Sequence, residues 1–247
     1  MANKYLSHGA ERGPKVRAMF SRLARRYDLL NDVMSFGLHR LWKRDAVELA
    51  LAGRTGPARI LDLCCGTGDL AFRAEAGAAV GSRVVGLDFT LPMLCIALGR
   101  RASSRRAPGF AQGDAMRLPF PDASFDAVTM GYGLRNVADP LACLHEVRRV
   151  LAPGGRIVVL DFGKPDNAVA RAFYRGFLRT VMPVVGWLFH GDADTYLYIP
   201  ESLEAYPAQR GVRDLMEQAG LAEASYQNRM FGTMGLNVGE APARSSL

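Results

Sequence analysis

The rhythm of apolar and polar positions changes twice along the chain. From residue 15 to 52 apolar groups recur near the helical interval. Val16, Met19, Phe20, Leu23 and Tyr27 fall on one face of "VRAMFSRLARRYDLLNDVMS", and "HRLWKRDAVELAL" continues as a second helix. "GRTGP" (53–57) interrupts it. Short apolar runs then alternate with amphipathic stretches. Residues 58–63, 83–88, 109–114, 125–130 and 156–162 predict strands, and 68–76, 91–101 and 139–151 predict helices. The last of these carries Asp139 as N-cap and Pro140 at its first position, and it stops at "APGG" (152–155). Apolar strands alternating with helices predict an α/β fold, a doubly wound and mostly parallel sheet covered on both faces. After Gly163 the pattern becomes a long apolar helix broken at Pro183. A helix over 209–220 follows, then two antiparallel strands that meet near Phe231-Gly232. No repeat or linker divides the chain. We expect one structural domain, with residues 1–57 as a helical cap, 58–247 as the core and helices within 166–220 beside the site.

Composition narrows the class. Hydrophobic residues make up 49% and charged residues 22% of 247, which excludes disorder and coiled coil. The net charge of +7 comes from scattered Arg pairs, with no basic block and no aromatic-basic interleaving, so no nucleic-acid partner is expected. Four cysteines without a CxxC pair argue against zinc or a disulfide framework and for a reducing compartment. The N-terminal stretch lacks an apolar signal segment. The longest apolar run, Val181 to Phe189, has nine residues, far short of a bilayer span. Any membrane contact is expected to be peripheral, from the cytoplasmic side.

The chemistry centres on "ILDLCCGTGDLAF" (60–72), a buried strand, a glycine turn and a helix. Gly66 and Gly68 let the backbone turn tightly against a ligand. Asp88 ends the next strand, where nucleotide-binding α/β folds place an acid on ribose hydroxyls. Residues 66–71 also fit the dinucleotide pattern GxGxxA. Charge separates the two readings: Asp62 and Asp69 flank the turn and would repel a pyrophosphate, whereas they suit a ligand bearing an amino group and a sulfonium. Asp69 as a mere helix cap remains open. Asp114 and Ala115, with the apolar loop Leu118-Pro119-Phe120, suit an adenine edge and face.

These motifs resemble the class I methyltransferases. Within them, "MFSRLARRYDLLNDVMSFGLHRLWKR", "LDLCCGTGDLAF", "GDAMRLPFPDASFDAVTMGYGLRNVADP", "RVLAPGGRIVVLDFGKP" and "YLYIPESLEAYP" resemble the quinone C-methyltransferase family of menaquinone, phylloquinone and ubiquinone biosynthesis, over about Val16 to Val238. The double cysteine and "FGTMG" look closest to the demethylmenaquinone and demethylphylloquinone branch. The resemblance implies a Rossmann-like seven-stranded sheet, S-adenosylmethionine as cofactor and a lipid quinol as acceptor. It implies cofactor contacts at Thr67, Asp88, Asp114, Ala115 and Gly131, beside the Asp62, Gly66 and Gly68 read from the turn. Two departures stand out. Cys64 replaces the first glycine of the general turn and is expected in an ordinary conformation. Gly131 stands where some members carry serine.

On the acceptor side, Tyr132, Arg135 and Asn136 follow the fourth strand, and Tyr27 with Asp28 can close the pocket. Arg135 is expected to stabilise a phenolate or to hold a water. The alternative is an ion pair with a carboxylate such as Asp139. His39 and Trp42 are read as structural and His145 as surface. Phe173, Phe177, Val181, Val184, Trp187 and Leu188, interrupted by Arg175 and Arg179, form a stripe suited to core or to a membrane surface. A benzoquinol or another phenol remains the alternative acceptor.

Overall fold

The computed structural model describes residues 12–24, 27–102, 106–190 and 194–243. The first helical stretch divides into α1 (Arg12–Leu23) and α2 (Tyr27–Ser35), followed by α3 (His39–Leu51). Five strands then alternate with helices: β1 (Arg59–Leu63), α4 (Asp69–Gly77), β2 (Arg83–Asp88), α5 (Leu91–Arg101), β3 (Gly109–Gln112), β4 (Phe125–Gly131), α6 (Pro140–Val150) and β5 (Leu151–Phe162). Asp139 caps α6 as expected, its side chain accepting from the Ala142 N–H at 3.0 Å. The chain continues through α7 (Ala168–His190), α8 (Asp194–Ala205), α9 (Ala208–Gln218), β6 (Ala222–Arg229) and β7 (Met234–Glu240).

Three expectations need correction. Pro183 does not end α7, because a missing N–H costs a helix one backbone bond and a kink, not its continuation. α8 was not foreseen, since Pro200 within it masks the helical period. α6 does stop before 152–155 as expected, but β5 begins at Leu151 instead of 156, with 152–155 inside it as an irregularity: pairing with β4 jumps from Phe125–Leu151 to Ala127–Arg156.

The seven strands lie in the order β3-β2-β1-β4-β5-β7-β6, with β7 antiparallel to both neighbours and the rest parallel. Alternating side chains feed two cores. Ile60, Ala127, Val158 and Leu160 pack with Trp42, Ala46 and Ala71 on one face. Leu61, Leu63, Val128 and Val159 pack with Leu144, Val212 and Met216 on the other. β1 pairs with both β2 and β4, so the winding direction reverses there. A crevice opens at the carboxyl ends of strands around such a point.

Candidate active site

The turn after β1 carries three left-handed residues, Cys64 (φ +55), Gly66 (φ +55) and Gly68 (φ +83). Cys64 therefore does not take the expected ordinary conformation. The turn geometry imposes the left-handed region even on a residue with a Cβ, at a cost of about 1–3 kcal/mol. Gly133 makes room for it, since a Cβ there would meet the Cys64 Cβ at 2.6 Å. Gly68 starts α4, and a Cβ on it would press on the Phe110 ring at 2.9 Å.

Asp88 binds the turn to the end of β2. Its Oδ2 accepts from the Gly66 N–H at 2.9 Å and its Oδ1 from the Thr90 N–H at 2.7 Å, and each oxygen keeps a lone pair. Burial raises its pKa, and the two backbone bonds oppose that. A cleft of about 360 Å³ opens beside it, lined by Gly66, Asp88, Asp114, Ala115, Gly131 and Asn136, with Tyr27 and Tyr132 at its walls. Asp114 accepts the Met116 N–H at 2.9 Å. A Cβ at Gly131 would meet Leu70 Cδ1 at 2.6 Å, a contact that a rotation of the leucine end can relieve.

Thr67 and Asp62 line a smaller space of about 30 Å³ that shares Tyr27, Gly66, Gly131 and Tyr132 with the cleft. Asp62 is fully buried. Its Oδ1 accepts from Thr129 Oγ1 at 3.0 Å, and its Oδ2 has no partner among the described residues. Burial pushes its pKa up to about 7, against the Thr129 bond. Asp69 behaves otherwise, and the charge argument built on it fails. Lys43 Nζ holds one oxygen at 2.8 Å and Arg73 Nε the other at 3.0 Å. Burial opposes its ionisation, but these cations outweigh burial and keep the carboxyl below its usual range. Of the two acids that flank the turn, Asp62 has no bonded cation among the described residues, whereas Asp69 has two. Thr67 Oγ1 donates to Asp28 at 2.9 Å, and Arg100 bridges Asp28 (3.3 Å) and the Thr67 carbonyl (3.1 Å), so α2 is tied directly onto the turn.

Tyr132 (φ +58) also lines a second cavity of about 540 Å³. Its walls are apolar: Trp42, Phe162, Phe173, Phe177, Leu178 and Met234, with His39 among them. Burial drives the Tyr132 phenol far up and the Tyr27 phenol up to about 12, so both stay protonated at neutral pH. Neither is a base; both are donors.

Arg135 does not line either cavity. It is buried against Asp161, with Nη1 at 2.6 Å from Oδ1, and it also donates to the Tyr132 carbonyl at 3.0 Å. A pair with a carboxylate was the alternative expectation, but the partner is Asp161 and not Asp139. A guanidinium neutralised in this way is not a free cation for a phenolate. Asn136 donates to the same Tyr132 carbonyl at 2.8 Å and accepts from Tyr198 Oη at 3.0 Å. His145 is exposed, as expected. The side chains of Trp187 and Leu188 lie outside the described residues. Lys43, Asp161, Tyr198 and the cavity role of His39 and Trp42 were missed. For His39, Trp42 and Lys43 the signal was a helical stripe at 39, 42, 43 and 46 that mixes His and Lys with apolar residues; it says nothing of Asp161 or Tyr198.

Comparisons with known proteins agree with this architecture. The ubiE/COQ5 methyltransferase family model matches residues 8–240. The demethylmenaquinone methyltransferase of Thermus thermophilus is 46% identical over 224 residues, covering 91% of this chain and 100% of that one. The ubiquinone/menaquinone biosynthesis C-methyltransferase UbiE of Pseudomonas fluorescens is 40% identical over 235 residues, covering 94% and 91%. Among solved structures, a methyltransferase of Thermotoga maritima described as a possible histamine N-methyltransferase superposes with a TM-score of 0.62. It has 19% identity over 92% of this chain and 99% of that one. Phosphoethanolamine N-methyltransferase 2 of Haemonchus contortus, in complex with S-adenosyl-L-methionine, gives 0.59 at 16% identity over 81% and 52%. Matches at that identity speak for the fold, and the family match speaks for the chemistry: the chain belongs to the ubiE/COQ5 methyltransferase family and is an S-adenosylmethionine-dependent methyltransferase.

Proposed function

We propose that this enzyme methylates a ring carbon of a demethylated naphthoquinol carrying a long apolar tail, a step of lipid quinone biosynthesis. One observation carries the reading: Tyr132 is a shared wall between the cleft that holds Asp88 and Asp114 and a 540 Å³ apolar cavity, so a methyl donor and a lipidic ring can meet at one side chain. The relative from Thermus thermophilus, named for demethylmenaquinone, favours the naphthoquinol over a benzoquinol.

The residues present fit the cofactor. Asp88 has free lone pairs for two ribose hydroxyls. Asp114 and Ala115 suit the adenine edge. The partnerless buried oxygen of Asp62 suits an ammonium group. Gly66, Thr67, Gly68 and Gly131 shape the backbone around it, and α1 and α2, within the expected cap of residues 1–57, close over it. When bound, S-adenosylmethionine supplies an electrophilic methyl group. The protein's task is then in-line alignment and exclusion of water, which together account for roughly 7–11 kcal/mol of barrier in favourable cases. Tyr27 and Tyr132 donate hydrogen bonds to the ring oxygen as negative charge grows there. Arg135 and Asn136 act through Tyr132, whose carbonyl both of them hold; they are positioning residues.

The tail leaves through the mouth of the apolar cavity, where Phe36, Phe173 and Phe231 are 81%, 79% and 90% exposed. On α7, Arg171, Arg175 and Arg179 follow at four-residue intervals on another face of the helix from Phe173 and Phe177, where they line a separate cavity and Arg179 pairs with Glu204. An aromatic rim with a basic flank suits peripheral contact with an anionic membrane face, and no helix among the described residues is long and apolar enough to span one. Incubation with methyl-labelled S-adenosylmethionine and a panel of demethylated naphthoquinols, benzoquinols and soluble phenols tests the reading. Label in the naphthoquinol is expected. Label in benzoquinols or phenols alone would overturn the assignment.

A further inference from the structure

Methylating a quinol carbon releases one proton, and neither phenol at the junction can accept it. The wall of the apolar cavity holds a group that can. Ser35 and His39 both line that cavity, four residues apart across the α2–α3 turn. The Ser35 hydroxyl has one hydrogen, and it donates that hydrogen to the Asn31 carbonyl at 2.6 Å. The same oxygen accepts the His39 backbone N–H at 3.2 Å. Its remaining contact, with His39 Nδ1 at 2.8 Å, therefore has Nδ1 as the donor. That tautomer leaves a bare lone pair on Nε2. Nε2 lies 3.8 Å from Asp32 Oδ1, too far for a hydrogen bond but close enough to favour an imidazolium. Asp32 is partly exposed and is gripped by Arg40 at 2.8 and 2.7 Å, which links this wall to solvent. The charged groups around His39 are Asp32 of α2, Arg40 and Lys43 of α3 and Asp69 of α4. Burial, then Lys43, outweigh the two carboxylates and lower its pKa, so it is neutral at pH 7. The other polar groups on this wall are Asn31, Ser35 and Thr233, which do not titrate, and the phenols of Tyr132 and Tyr174, which burial keeps protonated.

We propose that His39 is the general base of the methyl transfer, with Nε2 accepting the hydroxyl proton of the quinol bound in the apolar cavity and Asp32 conducting that proton to solvent. The inference rests on the quinol reading of the acceptor. As the O–H bond breaks, its electron pair moves into the ring, and the adjacent carbon forms the new C–C bond to the methyl group. The C–S bond breaks with its pair left on sulfur. The ring C–H proton then leaves the methylated carbon as the ring hydroxyl is restored, and the proton on His39 passes to water. One proton is released per methyl transferred.

His39→Asn tests this in the full-length enzyme, because the Asn side-chain N–H can still serve Ser35 while no basic nitrogen remains. Single-turnover methylation of a demethylated naphthoquinol should fall about 10²-fold or more. Calorimetric S-adenosylmethionine affinity and the quinol KM should stay within about twofold of wild type. Wild-type turnover should fall at acid pH with a midpoint below 6.5, and this limb should vanish in the variant. In the free protein, nitrogen NMR should find hydrogen on Nδ1. Hydrogen on Nε2, a retained acid limb with near-normal turnover, or equal losses of cofactor affinity and melting temperature would each overturn the role of His39. A wild-type enzyme that methylates phenols but no quinol would instead remove the acceptor reading on which the role rests.

Discussion

At the scale of single residues, two buried acids divide the work by their surroundings. Asp161 has a cation and backbone donors, whereas Asp62 has one hydroxyl and an empty oxygen. Asp62 is the more consequential for pH. Its folded pKa is about 7, above the unfolded value of about 3.9, so the native state holds a proton that the unfolded chain releases. Stability of the ligand-free protein should therefore fall as pH rises from about 4 to about 7, and Asp62→Asn should flatten that slope in thermal melts. An ammonium group arriving at Asp62 favours its ionised form. Binding of S-adenosylmethionine near neutral pH should then release protons, measurable by calorimetry in buffers of different ionisation enthalpy. Proton-neutral binding would remove Asp62 from the cofactor contacts. Arg135 makes the opposite case. Arg135→Gln strands Asp161 in the core and should cost about 3–5 kcal/mol in urea denaturation. Adding Asp161→Asn should recover part of that loss, the mark of a coupled pair. If Arg135 only positions Tyr132, the surviving folded enzyme should show a lowered kcat and an unchanged cofactor affinity.

At the scale of elements, α2 is coupled to the glycine turn. A helix carried by the N-terminal segment contributes Tyr27 to the cleft and Asp28 to Thr67 and Arg100. These contacts are partly exposed and individually weak, about 0.2–1 kcal/mol. Asp28→Ala should therefore weaken S-adenosylmethionine binding by about two- to fivefold while leaving the melting temperature nearly unchanged. Hydrogen exchange should quicken in residues 27–35 and stay slow in α3, which packs on α4 and β5. Equal acceleration in both would mean that the cap moves as one body. The periodicity that exposed β1, β2, β4 and α6 failed in this region. Helices 12–23 and 27–35 share one apolar stripe in the sequence, yet α1 packs on α5 while α2 is bonded to the glycine turn.

At the scale of the whole molecule, the net charge of +7 and the aromatic rim point the same way. The protein should float with anionic vesicles at low salt and dissociate as salt screens the basic flank. Phe36→Ser with Phe231→Ser should cut that association at least about tenfold, since burying one such side chain contributes about 1.5–3 kcal/mol. Unchanged flotation of the double variant would transfer the contact to another face.

What the sequence by itself determined is local. Strand and helix periods, the left-handed glycines at 66 and 68, the Asp139 cap and Asp88 at a strand end are all set by spacing within a few residues or by one strand-turn-helix unit, so they could be read in advance. The tertiary structure decided which charges meet. Lys43–Asp69 and Arg135–Asp161 each join residues 26 apart on different elements, so one expected ligand carboxylate and one expected catalytic cation each became half of a buried or partly buried ion pair. The left-handed conformation at Cys64 came from the turn and from the space at Gly133, not from the residue's own preference. The apolar cavity depends on α2, α3, α7 and β7 converging, and a void has no sequence period. The free nitrogen of His39 follows only from counting donors around Ser35, which requires every partner in place.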